Sequence, residues 1–427
     1  MNTVKLETVS RGIEVAWHHD PTSPQTYLGI LVWAGSLDDP DGKEGLAHYL
    51  EHLLFKGTPS SPTTNLLTSR IESVGGTLNA YTSTSATFIF LDVPQKHARR
   101  GWETLCDLTC CPLLRSADAE RERKIILSEY AERDTQDSLQ TVEAIYRQLF
   151  GEQLAKKQLI LGTETGIRAI DCTDLADFHE HHYRRGPLTF VAVGNLTRLS
   201  RHFADFVRKE FPYLGGRVAR APRRTQPRGS SLPLAWHSTE LPTKYPQCVI
   251  TGPLYRQPGQ RCTRTAVARE RAAAGLVENI LWGRGSSSLF AQKMRDDQQL
   301  AYSFDMGHSW LDETVGTWGI DFSCLTLDDA AAAAAAIAQI VTTPSYFPDA
   351  EISQAKASYL THWQEKHQSP RDLFHWVGAC LADHGYLIQW DEHRQRILST
   401  TPRQVRQVLR KYYHPDRWVT VTFVPTK

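Results

Sequence analysis

The chain has 427 residues with 48 Lys+Arg against 47 Asp+Glu, 41% apolar and 22% charged residues, and eight cysteines. The length sets a prior of two or three domains whose cores need no disulfide staples. The balanced charge argues against a general nucleic-acid binder, the apolar content against disorder, and the lack of a long apolar run against a membrane span.

The N-terminal MNTVKLETVSRGIEV carries no apolar signal region, no CxxC occurs, and the adjacent Cys110-Cys111 is poor disulfide material, so a cytoplasmic location is expected. His18-His19 sits before Asp20 and Pro21 and reads as a turn, not a metal site. Next comes GLAHYLEHLLFKGT, a helix stopped by Gly57. At ~100° per residue His48, Glu51, His52 and Phe55 share one face, with Leu46, Tyr49, Leu50 and Leu53 on the other. Histidines at i and i+4 lie ~6 Å apart along the axis, close enough for two imidazoles to meet one metal ion. Glu51 points to the same side and can reach a metal-bound water; the order HxxEH reverses HExxH. The alternative is a polar helix face with satisfied hydrogen bonds.

The passage from Thr64 through GGTLNAYTSTSATFIFLDV reads as helix, turn and paired strands, followed by a helix over 98–108. The stretch ADAERERKIILSEYAERD forms a further helix, with Ser116 as N-cap and Asp118 and Glu120 in its first turn. Glu122 and Glu129 share a face beside Ile125 and Ile126, where a carboxylate is costly unless paired or metal-bound. Two histidines leave a zinc site open, and this helix offers a further ligand. Glu120 and Glu132 read as solvated. A Thr173-led helix leads to His179-Glu180-His181-His182, read as basic residues near a helix end, then to the strand 188–193.

The segment GGRVARAPRRTQPRGSSLP reads as an exposed linker, dividing the chain into 1–214, 215–233 and 234–427. The second half repeats the plan of the first. A turn from Ser286 is followed by the strands in LAYSFDMGHSW and GTWGIDFSC, an alanine-rich helix over 328–341, a Thr401-led helix, and the strand 418–424. Trp282, Trp310 and Trp318 read as packing residues, and His308 has no assignable role. Hairpins with intervening helices give an α+β class: two tandem homologous domains, each a mixed or antiparallel sheet packed with helices.

These residues resemble the pitrilysin-type (M16) zinc peptidases, whose signature is HxxEH followed, after 76 intervening residues, by a glutamate; counting from His52 lands on Glu129. The resemblance extends to Glu122, GGTLNAYTS, LGTETGIRAI, the turn from Gly285 to Phe290, and an Arg-x6-Tyr pair formed by Arg295 and Tyr302. The length resembles the short-chain branch, half of a clamshell. The resemblance implies that His48, His52 and Glu129 bind one Zn²⁺, with Glu51 as general base and Glu122 orienting a ligand histidine. It further implies that Asn79, Ala80 and Thr82 lie in an edge strand receiving an extended peptide, while Arg295 and Tyr302 hold substrate carbonyls. Gln299 stands where the family usually has glycine, a residue that serves a backbone with positive φ or allows close approach. The implied function is a zinc endopeptidase acting on short or unfolded peptides in a dimeric chamber. Its partner is a second copy or a related subunit. The alternatives are a catalytic subunit dedicated to one precursor peptide, and a non-catalytic structural or peptide-binding subunit.

Overall fold

The computed structural model describes residues 3–135, 143, 145–147, 149–213, 215, 217–220, 236–241, 246–255, 264–301, 304–310, 315–365 and 367–425. It resolves into two compact units. The first comprises Met1–Arg133, Lys156–Arg223 and Lys366–Leu387; the second comprises Asp134–Ala155, Arg224–Glu365 and Ile388–Lys427. The units therefore do not follow the two halves of the chain.

In the first unit, strands β1 (Lys5–Ser10), β2 (Ile13–His19), β3 (Gln25–Val32), β4 (Thr77–Thr82), β5 (Thr87–Pro94) and β6 (Leu188–Gly194) lie in the order β1-β2-β6-β3-β5-β4. Only β2 and β6 run parallel. In the second, β7 (Trp236–Leu241), β8 (Gln247–Tyr255), β9 (Phe304–Trp310), β10 (Val315–Ser323) and β11 (Val419–Pro425) lie in the order β7-β11-β8-β10-β9, and only β7 and β11 run parallel. Without β1 the two orders are the same path, so the duplicated plan and the α+β class read from the sequence are both seen here.

The first sheet is buried on both faces. Ile13, Val15, Leu28, Ile30, Val32, Ile89, Leu91, Phe190 and Ala192 point to one side. They pack on α1 (Leu46–Leu54), α2 (Thr64–Glu72) and α3 (Ala98–Cys110). The alternate residues Ala16, Leu31, Phe88, Val191 and Val193 point to the other, where the helix Pro370–His384 covers them with Leu373, Phe374, Val377 and Leu381. The period of two along each strand sets this division. A sheet apolar on both faces must have both covered, and the chain meets that need by returning a helix from beyond its middle. Conversely, Ile145, Leu149 and Phe150 pack on Val419, Val421 and Phe423 of β11 in the second unit.

Several local expectations shift by one or two residues. The helix α4 (Ser116–Thr135) includes Ser116 as its first residue, and the Arg115 carbonyl accepts from Asp118 and Ala119. Asp171, not Thr173, caps the helix Cys172–Phe178 and forms a capping box with Asp174, the carboxylate being the better-placed acceptor. The helix Pro402–Tyr412 is capped by Thr401 as expected. Of the expected exposed linker, residues 221–233 lie outside the described residues. Arg217, at its start, is buried and donates to the carbonyls of Tyr183 and Gly186. Carbonyl acceptors allow a guanidinium to be buried there. Among the described residues, no helix is long and apolar enough to cross a membrane.

Candidate metal centre

The site begins with α1 and the turn that starts it. Asp39 is buried and accepts from the backbone N–H groups of Gly45 (2.7 Å) and Ala47 (2.9 Å), the first donors of the helix. It supplies from a distance what an N-cap side chain ordinarily supplies locally. Burial raises its carboxyl to about 7 against the pull of those two N–H groups. Gly45 has φ +101° and serves as the cap backbone. Gly162, at φ +80°, lies so close that a Cβ would meet the Glu44 carbonyl oxygen at 2.0 Å. LGTETGIRAI thus presses on the start of α1, which explains its glycine. The apolar face of α1 is fully buried, and Tyr49 donates to the Ala119 carbonyl of α4 at 2.5 Å, tying the two site helices together.

With α1 and α4 so fixed, His48, His52 and Glu129 each present one ligand atom, all within 4.8 Å of one another. Nε2 of His48 lies 4.0 Å and Nε2 of His52 3.7 Å from the same Glu129 oxygen. Three tetrahedral ligands at roughly 2.1 Å from Zn²⁺ would lie about 3.4 Å apart, so the donors fit such an ion with small adjustments. Burial lowers the His48 imidazole to about 3, and His52 and Arg133 push it the same way. It is therefore neutral, the form that ligates. Its Nδ1 is buried without a hydrogen-bond partner.

Glu122 is 4% exposed and sits behind the ligands. One oxygen lies 3.2 Å from Nδ1 of His52, and the other 2.7 Å from the Lys56 ammonium. A carboxylate on the far ring nitrogen selects the tautomer that leaves Nε2 for the metal. Glu51, one residue before His52, accepts at Oε2 from the Thr82 hydroxyl at 2.6 Å. Burial raises its carboxyl above the ordinary range; Thr82 and His52 oppose the shift, and Glu129 adds to it.

The structure thus brings His48, Glu51, His52, Glu122 and Glu129 together. Asn79, Ala80 and Thr82 lie on β4, the last strand of its sheet. The Ala80 N–H is held by its neighbour's Asn79 Oδ1 at 2.8 Å, while Thr82 turns inward to Glu51. Arg295 belongs to the second unit, in the turn Ala291–Asp297, paired with Asp296 at 2.7 Å; Tyr302 lies outside the described residues. Gln299 has φ +54°, the one positive value at a non-glycine among the described residues, which is the first of the two roles a glycine there would serve. Two of the histidines set aside make hydrogen bonds to the backbone. His179 bonds the Thr109 carbonyl at 2.9 Å, and His19 accepts from the Leu196 N–H. His308 links Glu278 and the Tyr413 hydroxyl, each at 2.7 Å.

Sequence reasoning missed Asp39 and Lys56. Lys56 carried a signal, standing four residues after His52 in the turn that ends α1. Asp39 carried none, because its partners are backbone groups that a loop brings within reach.

Two family models match the chain. "Insulinase (Peptidase family M16)" matches residues 14–162 and "Peptidase M16 inactive domain" residues 169–359. An uncharacterized zinc protease of Streptomyces coelicolor is 30% identical, over 71% of this chain and 64% of that protein. The mitochondrial-processing peptidase subunit beta of Rattus norvegicus is 26% identical over 96% of this chain and 82% of its own. The cytochrome b-c1 complex subunit 1 of Bos taurus is 24% identical over 99% and 86%. A solved protease structure from Helicobacter pylori superposes over 100% of both chains with TM-score 0.80 at 16% identity. With the HxxEH helix in the first matched segment and the duplicated fold spanning both, this chain belongs to peptidase family M16.

Proposed function

We propose that this chain is a zinc-dependent endopeptidase of short or unfolded peptides, with Glu51 as general base. The observation that supports it most is the meeting of His48, His52 and Glu129 around one point, with Glu51 beside them and the edge strand β4 next to Glu51. Zn²⁺ held by those three side chains would polarise the scissile carbonyl and acidify the attacking water. Glu51 takes a proton from that water and delivers it to the leaving amine nitrogen. Its buried, raised carboxyl suits both halves of the transfer. Glu122, held by Lys56, keeps the His52 ring in its ligating orientation. A peptide in extended form adds to β4 through main-chain hydrogen bonds, which select for an unfolded segment more than for a sequence. It displaces Asn79 from the Ala80 N–H. Arg295 and Tyr302 are proposed to hold substrate carbonyls.

The chain is proposed to work as a dimer, with itself or with a related subunit. The second arrangement is favoured by its likeness to a protein named as the beta subunit of a processing peptidase, and would suit a single dedicated precursor. A non-catalytic role, suggested by the likeness to a cytochrome b-c1 subunit, is disfavoured because all four metal-site residues are present and in reach.

The test is digestion of a mixed peptide library by the purified, zinc-loaded chain, with Glu51→Gln beside it. The expected result is cleavage by the wild type and a loss of about a thousandfold or more in the variant, with zinc stoichiometry equal in both. Equal cleavage by Glu51→Gln would remove it from the base role. No cleavage by the wild type alone, restored by a related subunit, would establish the heterodimer.

A further inference from the structure

We infer that Thr82 is the positioning residue of Glu51, and that it ties the general base to the strand proposed to receive the peptide. This rests on the peptidase reading above and adds a residue to it. Three observations carry it. First, Thr82 is 8% exposed, and its hydroxyl donates to Glu51 Oε2 at 2.6 Å, so its side chain is turned away from any peptide on the outer edge of β4. Second, the donor is itself fixed. Thr82 stands opposite Thr87 on β5, and the Thr87 hydroxyl donates to the Ala34 carbonyl at 2.9 Å, anchoring the end of the hairpin to the segment that follows β3. Third, Glu51 is only partly exposed, so its carboxylate sits in a partly enclosed site.

In a partly enclosed site a carboxylate with no donor would be free to turn toward His52. The Thr82 hydroxyl holds one oxygen in place and leaves the other to the water. Because the donor belongs to β4, two residues beyond Ala80, a peptide pairing with that edge orders the same backbone that carries the base's anchor. Substrate docking and base alignment become one event. A residue that merely contacted substrate would be exposed, as Asn79 is and Thr82 is not.

The experiment compares wild type, Thr82→Val, Thr82→Ser and Glu51→Gln, zinc-loaded, on one peptide found to be cleaved. It also measures calorimetric affinity for a phosphinic analogue of that peptide, which needs no turnover. Thr82→Val is expected to lower kcat about ten- to a hundredfold, the worth of one hydrogen bond to a charged group. KM should stay within about twofold and zinc content should be unchanged. Affinity for the phosphinic analogue, which mimics the transition state, should fall by a similar factor. Thr82→Ser should restore both. A rise in KM at constant kcat would make Thr82 a substrate contact and overturn the inference, as would unchanged kcat and analogue affinity in Thr82→Val. If Thr82→Val loses zinc or melts early, Thr82→Ala, which opens space instead of filling it, must show the same kcat and analogue losses or the inference fails. Full activity in Glu51→Gln would instead remove Glu51 from the base role on which the inference rests.

Discussion

Lys56 pairs with Glu122 beside the candidate metal centre. Glu122 is nearly sealed from water, and a buried carboxylate needs a partner to stay charged. It has two, the Lys56 ammonium at 2.7 Å and His52 at 3.2 Å. Lys56→Met leaves Glu122 without its cation, and a carboxylate no longer held on its other side orients His52 less firmly. The expected outcome is zinc binding weaker by about tenfold, at the low end for residues behind a ligand, measured by competition with a chromophoric chelator. Lys56→Arg restores most of it. Equal zinc affinity in Lys56→Met would show that Glu122 needs no cation. HxxEH and the glutamate 77 positions after its last histidine were legible without the structure because they repeat a spacing. Lys56 and Thr82 were not assigned these jobs, since each acts through a contact between elements.

At the scale of the element, α1 depends on a loop carboxylate for its first turn. Asp39 titrates near 7 in the fold, against 3.8 in its ordinary state. Between those values the folded chain holds a proton that the unfolded chain has lost. The unfolding free energy therefore falls as pH rises: the contribution is fully present below about pH 4 and is lost through pH 7. Asp39→Asn cannot titrate, and its thermal midpoint is expected to fall less between pH 4 and pH 8 than that of the wild type. It should start lower, because one amide oxygen replaces two acceptors. Parallel pH dependences would show that Asp39 is ionised throughout. In the second unit, Gln299 pays a backbone strain that glycine would avoid, and the π turn before it still closes, with the Leu300 N–H on the Met294 carbonyl at 2.8 Å. The turn thus survives the departure from the family's usual residue.

At the scale of the whole molecule, the chain's halves are interleaved. The first sheet has a second apolar face that the first half of the chain leaves open, and Phe374 closes it against Tyr27, Phe88 and Phe90, with ring centroids 5.6–6.1 Å apart. Phe374→Ala is expected to destabilise the first unit by about 3–5 kcal/mol, read as a shift in the denaturation midpoint at unchanged slope. A loss under 1 kcal/mol would mean that the helix Pro370–His384 is not part of that unit's cooperative core. The interleaving also argues that a fragment ending near residue 214 would expose Leu31, Phe88, Val191 and Val193.

What the sequence determined by itself was whatever follows from spacing along the chain. A period of 3.6 placed two histidines and a glutamate on one face of α1, and a period of two gave the strands. The repetition of helix, hairpin and helix gave the duplicated α+β plan, and residue types at fixed intervals gave the family. The tertiary structure alone decided what depends on approach through space. Three ligand atoms lie within 4.8 Å; Thr82 faces Glu51, Asp39 reaches the start of α1, and a helix from beyond residue 366 covers a sheet built before residue 195. No local periodicity encodes these, because each satisfies a buried polar group or an uncovered apolar face with whatever residue the fold brings within reach.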